Sequence, residues 1–178
     1  MSAKLRVFSG ALDHWSAGET FWPVQFGFFA KFPAIFGCII ELSGIPGEVS
    51  AAGLARLPDV LEATQPQLVV LRHGGNDFLR KLPDGEAAAN VRAMVRLARE
   101  KGIPVVLLGV PKPGLAPAPA AFYAEIAQEF AVPYEGAILK TVLTDNALKS
   151  DWVHPNANGY ARMAAAVADL LKKARALP

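Results

Sequence analysis

The chain has 178 residues, the length of one ordinary domain. Apolar residues make up 52% and charged residues 19%, which excludes a disordered chain and predicts one domain over residues 1–178 with a buried core. The formal net charge of +2 is too near zero to indicate a nucleic-acid-binding surface, so no nucleic-acid partner is expected.

Hydrophobic periodicity, together with glycine and proline breaks, predicts three strands and two helices in the first half of the chain. Strands are expected at 4–8, 36–42 and 67–72, and helices at 18–32 and 51–63, the second with a break near Pro58. The stretch 21–42 is the most hydrophobic, but Pro23, Lys31 and Pro33 interrupt it, so we expect no stable membrane insertion.

The second half predicts three helices and two strands. Asp84 is predicted to be the N-cap of a helix that Gly102 closes, and further helices are expected at 120–130 and 156–176. Strands are expected at 103–108 and 132–134, with an irregular proline-rich loop at 110–119.

Strands therefore alternate with helices, and the best-defined strands are apolar on both faces. This pattern is typical of a parallel sheet covered by helices on both sides. In such folds ligands bind at the carboxyl ends of the strands. The candidate site loops are accordingly 9–18, 43–50, 73–82, 110–119 and 150–156.

Asp151 and His154 are the strongest candidates for chemistry, in the run Asp-Trp-Val-His-Pro-Asn before the last predicted helix. An Asp three residues before a His can reach its Nδ1–H in a turn, which leaves Nε2 as a base. The alternative is an Asp that caps the helix beside an incidental His. Spacing alone favours neither interpretation.

Two glycine-containing loops offer groups that could hold a developing negative charge. Asn76 follows Gly74 and Gly75 at the end of a buried strand, and its amide can donate to an oxyanion. Gly44, after the second strand, could supply a backbone N–H. The alternative interpretation of the Asn76 loop is a glycine turn with Asn and Asp in turn positions.

Taken together and in order, these motifs resemble the SGNH (GDSL-type) hydrolases, in particular the bacterial acyl-CoA thioesterase, lysophospholipase and arylesterase group. The resemblance covers about residues 43–178 and includes the run Ile-Pro-Gly-Glu at 45–48 and Gly-Leu-Ala-Arg-Leu-Pro at 53–58. It implies a three-layer α/β/α sandwich with a flavodoxin-like, mainly parallel five-stranded sheet. It also implies His154 as general base, Asp151 as its orienting partner, and Gly44 and Asn76 as oxyanion donors.

The family nucleophile, a Ser in Gly-Asp-Ser-Leu just after the first strand, is where this chain departs from the pattern. An ungapped alignment of Ser-Gly-Ala-Leu at 9–12 puts Ala11 at the nucleophile position. Counting back from Trp22-Pro23 puts Ser9 there, and Ser16 is a third candidate. The surrounding segment 9–41 holds six of the ten Phe within sixteen residues, which either divergence or a local change of reading frame would produce.

Three hypotheses for function follow. The first is a serine esterase or thioesterase that uses Ser9, His154 and Asp151 on small acyl or aryl esters or acyl thioesters and needs no metal or cofactor. The second is an impaired member with Ala11 at the nucleophile position that binds an acyl or glycan ligand. The third is a metal-dependent hydrolase using His73, Asp77, Asp151 and His154. No export signal opens the chain, so a cytoplasmic location is expected, and the sequence does not define the oligomeric state.

Overall fold

The computed structural model describes residues 4–11, 39–114, 116–152 and 154–175, with side chains described from residue 43 onward within these ranges. The predicted helix at 18–32 and the nucleophile candidate Ser16 lie outside the described residues. Ser9 and Ala11 are described by their backbone alone.

The described strands form one sheet in the order β2-β1-β3-β4-β5, and each neighbouring pair is parallel. The strands are β1 (Lys4–Ala11), β2 (Ile39–Pro46), β3 (Leu68–Arg72), β4 (Val105–Leu108) and β5 (Tyr134–Glu135). The α/β class with a parallel sheet, predicted from the alternation of elements, is confirmed.

Six α-helices and one short 3-10 helix lie in the described part of the chain. The helices are α1 (Ser50–Thr64), α2 (Gly75–Leu79), α3 (Asp84–Glu100), α4 (Ala121–Glu129), α5 (Ile138–Thr144) and α6 (Ala157–Lys173), and the 3-10 helix is Asn146–Leu148. Within the described ranges, none of these helices is both long and apolar enough to cross a membrane.

The core lies around the central strands. The first four residues of β3 and all four of β4 are buried, so both faces of the sheet are covered there. Helices α1 and α3 pack against each other, as do α5 and α6. Their buried faces include Leu57, Val91 and Met163, each about 1% exposed or less. Covered central strands leave the carboxyl edge of the sheet, with its loops, as the place for a site.

Two predicted helix features are wrong. Helix α1 continues through Pro58 without a break, because Leu57 and Leu61 anchor it to the core on both sides of the proline. The N-cap of α3 is Pro83, and Asp84 is instead the first helical residue. A carboxylate in the first helical turn stabilises the helix through its interaction with the helix dipole.

Candidate active site

The first candidate group lies where β1 and β2 run side by side toward their carboxyl ends. Ser9 is paired in register with Gly44 of β2 on one side and with Arg72 of β3 on the other. Ala11, the other nucleophile candidate, is the last residue of β1 and is paired with Pro46. The register therefore brings Ser9, rather than Ala11, beside the predicted oxyanion donor Gly44.

A tight turn follows β2 and sets the position of Glu48. The Glu48 N–H donates to the Ile45 carbonyl over 3.2 Å, with Pro46 and Gly47 between them. Gly47 has a φ of 70°, which is the positive value that the third residue of a type II turn requires. Proline followed by glycine is the sequence signal for this turn.

Asn76, the second predicted oxyanion donor, lies in the first turn of α2 and is 4% exposed. Its Nδ2 atom donates to the backbone carbonyl of Glu48 over 2.9 Å. This bond joins the loop after β3 to the loop after β2. The two regions that carry the predicted oxyanion donors are thus connected through Glu48.

The side chain of Glu48 is the centre of a buried polar cluster that sequence reasoning missed. Arg56 of α1 contacts both carboxylate oxygens, with Nε 2.9 Å from Oε1 and Nη2 2.8 Å from Oε2. His73 Nε2 lies 3.3 Å from Oε2. The side chains of Glu48 and His73 are 4% and 0% exposed. We call Glu48, Arg56 and His73 the Glu48 cluster.

The hydrogen bonds define the protonation of the Glu48 cluster. The Gly74 N–H donates to His73 Nδ1 over 3.2 Å, so Nδ1 is the acceptor and Nε2 carries the proton that faces Glu48. Burial lowers the pKa of His73 below its usual 6.5, although the carboxylate of Glu48 opposes the shift. Burial acts to raise the pKa of Glu48, but hydrogen bonds and charges from Arg56 and His73 outweigh it and lower that pKa. A neutral His73 and an ionised Glu48 follow at neutral pH.

Two further side chains brace the loop after β3. Asp77 accepts hydrogen bonds from the N–H of Ser50, over 2.8 Å, and from its hydroxyl, over 2.6 Å. The hydroxyl of Tyr123 donates to the His73 carbonyl over 2.6 Å. Burial raises the pKa of Tyr123 well above 10, so this hydroxyl keeps its proton. Through its hydrogen bonds to Ser50, Asp77 ties α2 to the start of α1.

Asp151 and His154 are brought together in the loop before α6. Asp151 Oδ2 lies 2.6 Å from His154 Nδ1, and Oδ1 accepts from the His154 backbone N–H over 2.9 Å. The Ser150 N–H donates a hydrogen bond to the His154 carbonyl, which closes the same turn. With Nδ1–H donated to Asp151, Nε2 is the basic nitrogen of the ring, and this atom is shielded from solvent.

The capping interpretation of Asp151 is wrong. The N-cap of α6 is Asn156, whose side-chain oxygen accepts from the N–H groups of Asn158 and Gly159. The Asn156 amide also donates to the carbonyls of Ala147 and Lys149, which fixes the beginning of the loop that carries Asp151. Trp152, between the paired residues, is 89% exposed, with the Lys149 ammonium 5.7 Å from its ring centroid.

An open groove of about 590 Å³ lies beside the loop that follows β4. Its lining combines the start of α3, the predicted irregular loop and the start of α4, and includes Asp84, Lys112, Pro119, Ala121 and Phe122. The Phe122 ring centroid lies 6.2 Å from that of Phe78, two residues after Asn76. The groove is therefore close to the loop of the second predicted oxyanion donor.

The metal-dependent hypothesis finds no support in the described part of the chain. There, no group of three or more His, Cys, Asp and Glu side chains is placed to hold a metal ion. The four proposed ligands divide into two sets: His73 and Asp77 belong to the braced loop after β3, and Asp151 and His154 form their own pair.

The parallel sheet, whose strands alternate with helices, places the chain in the α/β class of proteins, and the loop before α6 carries the paired Asp151 and His154. Within that class, the chain belongs to the GDSL-like lipase/acylhydrolase family, whose model matches residues 24–162. The family resemblance predicted from the motifs is confirmed.

The relatives whose names describe an activity match this chain over only part of their length. The chain is 44% identical over 71 residues to the esterase TesA of Pseudomonas aeruginosa, which is 40% of this chain and 35% of that protein. It is 30% identical over 120 residues to an Escherichia coli protein named thioesterase 1, protease 1 and lysophospholipase, which is 64% of this chain and 58% of that protein. The chain thus matches less than two thirds of these relatives' lengths.

The fold extends further than the sequence similarity. A crystal structure of TesA superimposes with a TM-score of 0.73, at 26% identity, over 96% of this chain and 98% of that chain.

Proposed function

We propose that the protein is a serine esterase or thioesterase that hydrolyses small acyl or aryl esters or acyl thioesters. The observation that carries this proposal is the Asp151–His154 pair, with 2.6 Å between Oδ2 and Nδ1, in a chain of the GDSL-like family. The names of the relatives, esterase and thioesterase, support this substrate class.

In the proposed mechanism the hydroxyl oxygen of Ser9 attacks the acyl carbonyl while His154 Nε2 accepts the hydroxyl proton. Asp151 stabilises the imidazolium that forms. His154 then gives the proton to the departing alcohol or thiol, which leaves an acyl group on Ser9. Water then attacks this acyl group while His154 accepts one of its protons, and the acid is released when His154 returns that proton to the Ser9 oxygen.

The negative oxygen of the tetrahedral intermediate would be held by the Gly44 N–H and the Asn76 amide. The register of Ser9 with Gly44, and the bond that joins the Asn76 loop to the Glu48 loop, support this assignment. Fixed donors of this kind stabilise the transition state because they need no reorganisation when charge develops.

The groove beside α4 is the proposed site for the acyl or aryl part of the substrate. It lies next to the loop that carries Asn76, and Pro119, Ala121 and Phe122 give it an apolar wall. Clefts of several hundred Å³ that combine apolar lining with a few polar groups, here Asp84, Lys112 and Glu125, are typical of small-molecule sites.

The proposal is tested by hydrolysis of p-nitrophenyl butyrate and butyryl-coenzyme A by the full chain. We expect His154→Ala to lower kcat/KM by at least about 10³-fold. We expect Asn76→Ala to lower kcat by about 10²- to 10³-fold. Lys140→Ala, an exposed change on α5, serves as the control and should leave activity unchanged. Absence of hydrolysis by folded wild-type protein, or full activity of His154→Ala, would contradict the proposal.

The second candidate is an impaired member that binds an acyl or glycan ligand without turning it over. The position of Ala11 at the end of β1 favours it, because the family nucleophile is expected just after the first strand. This candidate predicts no hydrolysis by the wild-type chain and a gain of hydrolysis in the double variant Gly10→Asp with Ala11→Ser. No gain in a folded double variant would exclude it.

A further inference from the structure

One hydrogen bond connects the Glu48 cluster to the peptide group that carries the Gly44 N–H. Arg56 Nη2 donates to the backbone carbonyl of Ser43 over 3.1 Å, in addition to its two contacts with Glu48. The Ser43 carbonyl and the Gly44 N–H belong to the same peptide unit. A trans peptide directs these two groups to opposite sides, so the Gly44 N–H is directed away from Arg56.

The same cluster also holds the second donor. The Glu48 carbonyl accepts the bond from Asn76 Nδ2, and the Glu48 side chain is fixed by Arg56 and His73. Movement of Glu48 would therefore move Asn76. The Gly44 N–H belongs to the peptide group that Arg56 contacts, and Asn76 is hydrogen-bonded to the backbone carbonyl of Glu48. Both predicted oxyanion donors are therefore connected to the Arg56–Glu48 ion pair.

We propose that Arg56 and Glu48 are positioning residues that orient both oxyanion donors, Gly44 through the Ser43 carbonyl and Asn76 through the Glu48 carbonyl. This inference rests on the proposed function for its catalytic consequence. Its structural part, the orientation of the two donors, is measurable without turnover. The guanidinium also draws electron density toward the Ser43 oxygen, which makes the Gly44 N–H a stronger donor.

The catalytic test uses Arg56→Ala in the full chain. Because misdirected donors weaken transition-state binding more than substrate binding, we expect kcat to fall about 10- to 100-fold while KM changes less than about threefold. The Arg56 side chain is 24% exposed, so small cations reach the space it leaves. Guanidinium at tens of millimolar should restore part of the lost kcat, whereas sodium at equal ionic strength should not.

The matched control is Arg92→Ala. Arg92 also pairs with a glutamate, Glu129, over 2.6 Å between Nε and Oε2, but this pair is on the surface and links α3 to α4. We expect wild-type kcat in this variant and no effect of guanidinium. Thermal unfolding of each variant shows that it is folded. If Arg56→Ala does not fold, Arg56→Lys takes its place, and we expect an intermediate loss of kcat because one ammonium cannot reproduce the three contacts.

The structural test is nuclear magnetic resonance of ¹⁵N-labelled protein, with the Gly44 backbone amide and the Asn76 side-chain amide as reporters. We expect both signals to shift in the Arg56 variant and neither to shift in Arg92→Ala. Unmoved signals, or a loss of kcat without rescue by guanidinium, would overturn the inference even if the wild type is a good esterase. If both signals shift in the Arg56 variant but the wild-type chain hydrolyses no ester, the orientation of the donors by Arg56 stands and the proposed function is refuted.

Discussion

At the scale of single residues, Gly53 shows how the lack of a side chain makes room for His73 in the candidate site. A Cβ built at this position of α1 would lie 2.2 Å from His73 Nε2, the atom that faces Glu48. Ordinarily alanine stabilises a helix by about 1 kcal/mol relative to glycine. Here the close approach of the buried imidazole requires glycine.

We therefore predict that Gly53→Ala destabilises the protein by about 1–3 kcal/mol, because His73 must leave its contact with Glu48. Urea unfolding measures the effect. Gly85→Ala is the control, since Gly85 lies in the first turn of α3 and no atom lies within 4 Å of a Cβ built there. An increase in stability in both variants would contradict the assigned contact.

The lowered pKa of His73 predicts how stability depends on pH. Unfolded His73 takes up a proton near pH 6.5, whereas folded His73 does so only at lower pH. Between these two values the unfolded state binds more protons, so the free energy of unfolding decreases as pH falls below about 6.5. Glu48 adds to the loss only below its usual pKa of 4.5.

The variant His73→Gln should lose less stability than the wild type between about pH 7.5 and pH 5.5, because glutamine does not titrate. Urea unfolding at a series of pH values provides the measurement. The comparison isolates His73 because other histidines contribute equally to both proteins. Equal losses in the two proteins would show that His73 is protonated to the same extent when folded and unfolded.

Residue contacts were predictable from the sequence only where they are local. Asp151 and His154 are three residues apart, so a turn suffices to join them. The bond between Glu48 and His73 spans 25 residues and that between Arg56 and Ser43 spans 13, and periodicity carries no information about such pairs. A glycine inside an otherwise regular helix, Gly53, was the available signal for a close neighbour.

At the scale of elements, long apolar runs predicted strands well and short segments poorly. β3 and β4 were predicted because all their buried positions are apolar, although β4 begins two residues later than expected. β2 runs from Ile39 to Pro46 rather than over 36–42. The short helices α2 and α5 were missed, because five and seven residues are too few to show helical periodicity.

The cap of α6 links helix stability to the candidate catalytic loop. Asn156→Ala should lower the free energy of unfolding by about 1 kcal/mol through loss of the cap. It should also lower kcat, because the Asn156 amide holds the carbonyls of Ala147 and Lys149.

Asn156→Asp keeps the capping oxygen but loses the amide donor, so it should keep the stability and still lower kcat. Urea unfolding and ester hydrolysis of the two variants separate these effects. Wild-type kcat in both variants would contradict the link between the cap and the loop.

The groove gives a prediction at the same scale. Ala121→Trp at the start of α4 should fill part of the groove and lower kcat/KM about tenfold for octanoyl esters relative to acetyl esters. Ala124→Trp, exposed on the same helix but outside the groove lining, is the control and should leave the ratio unchanged. Hydrolysis of a series of p-nitrophenyl esters gives the ratio of kcat/KM for octanoyl and acetyl esters in each variant. Equal ratios in the two variants would contradict the assignment of the groove as the acyl site.

At the scale of the whole molecule, the parallel sheet explains how distant motifs form one site. Parallel strands end at one edge, so the carboxyl ends of β1, β2 and β3 lie together there although they are separated along the chain. Alternation of strands and helices predicted this architecture. The position of the nucleophile was not predictable, because residues 9–41 depart from the family pattern and two alignments place either Ser9 or Ala11 there.

Covalent labelling tests the central claim most directly. The full chain would be treated with a fluorophosphonate probe, digested, and its labelled peptide identified by mass spectrometry. We predict a label on Ser9 that is lost in His154→Ala, because the base must activate the hydroxyl. A label on Ser16 would contradict the assignment of Ser9, and no label on folded wild-type protein would contradict the serine-hydrolase mechanism.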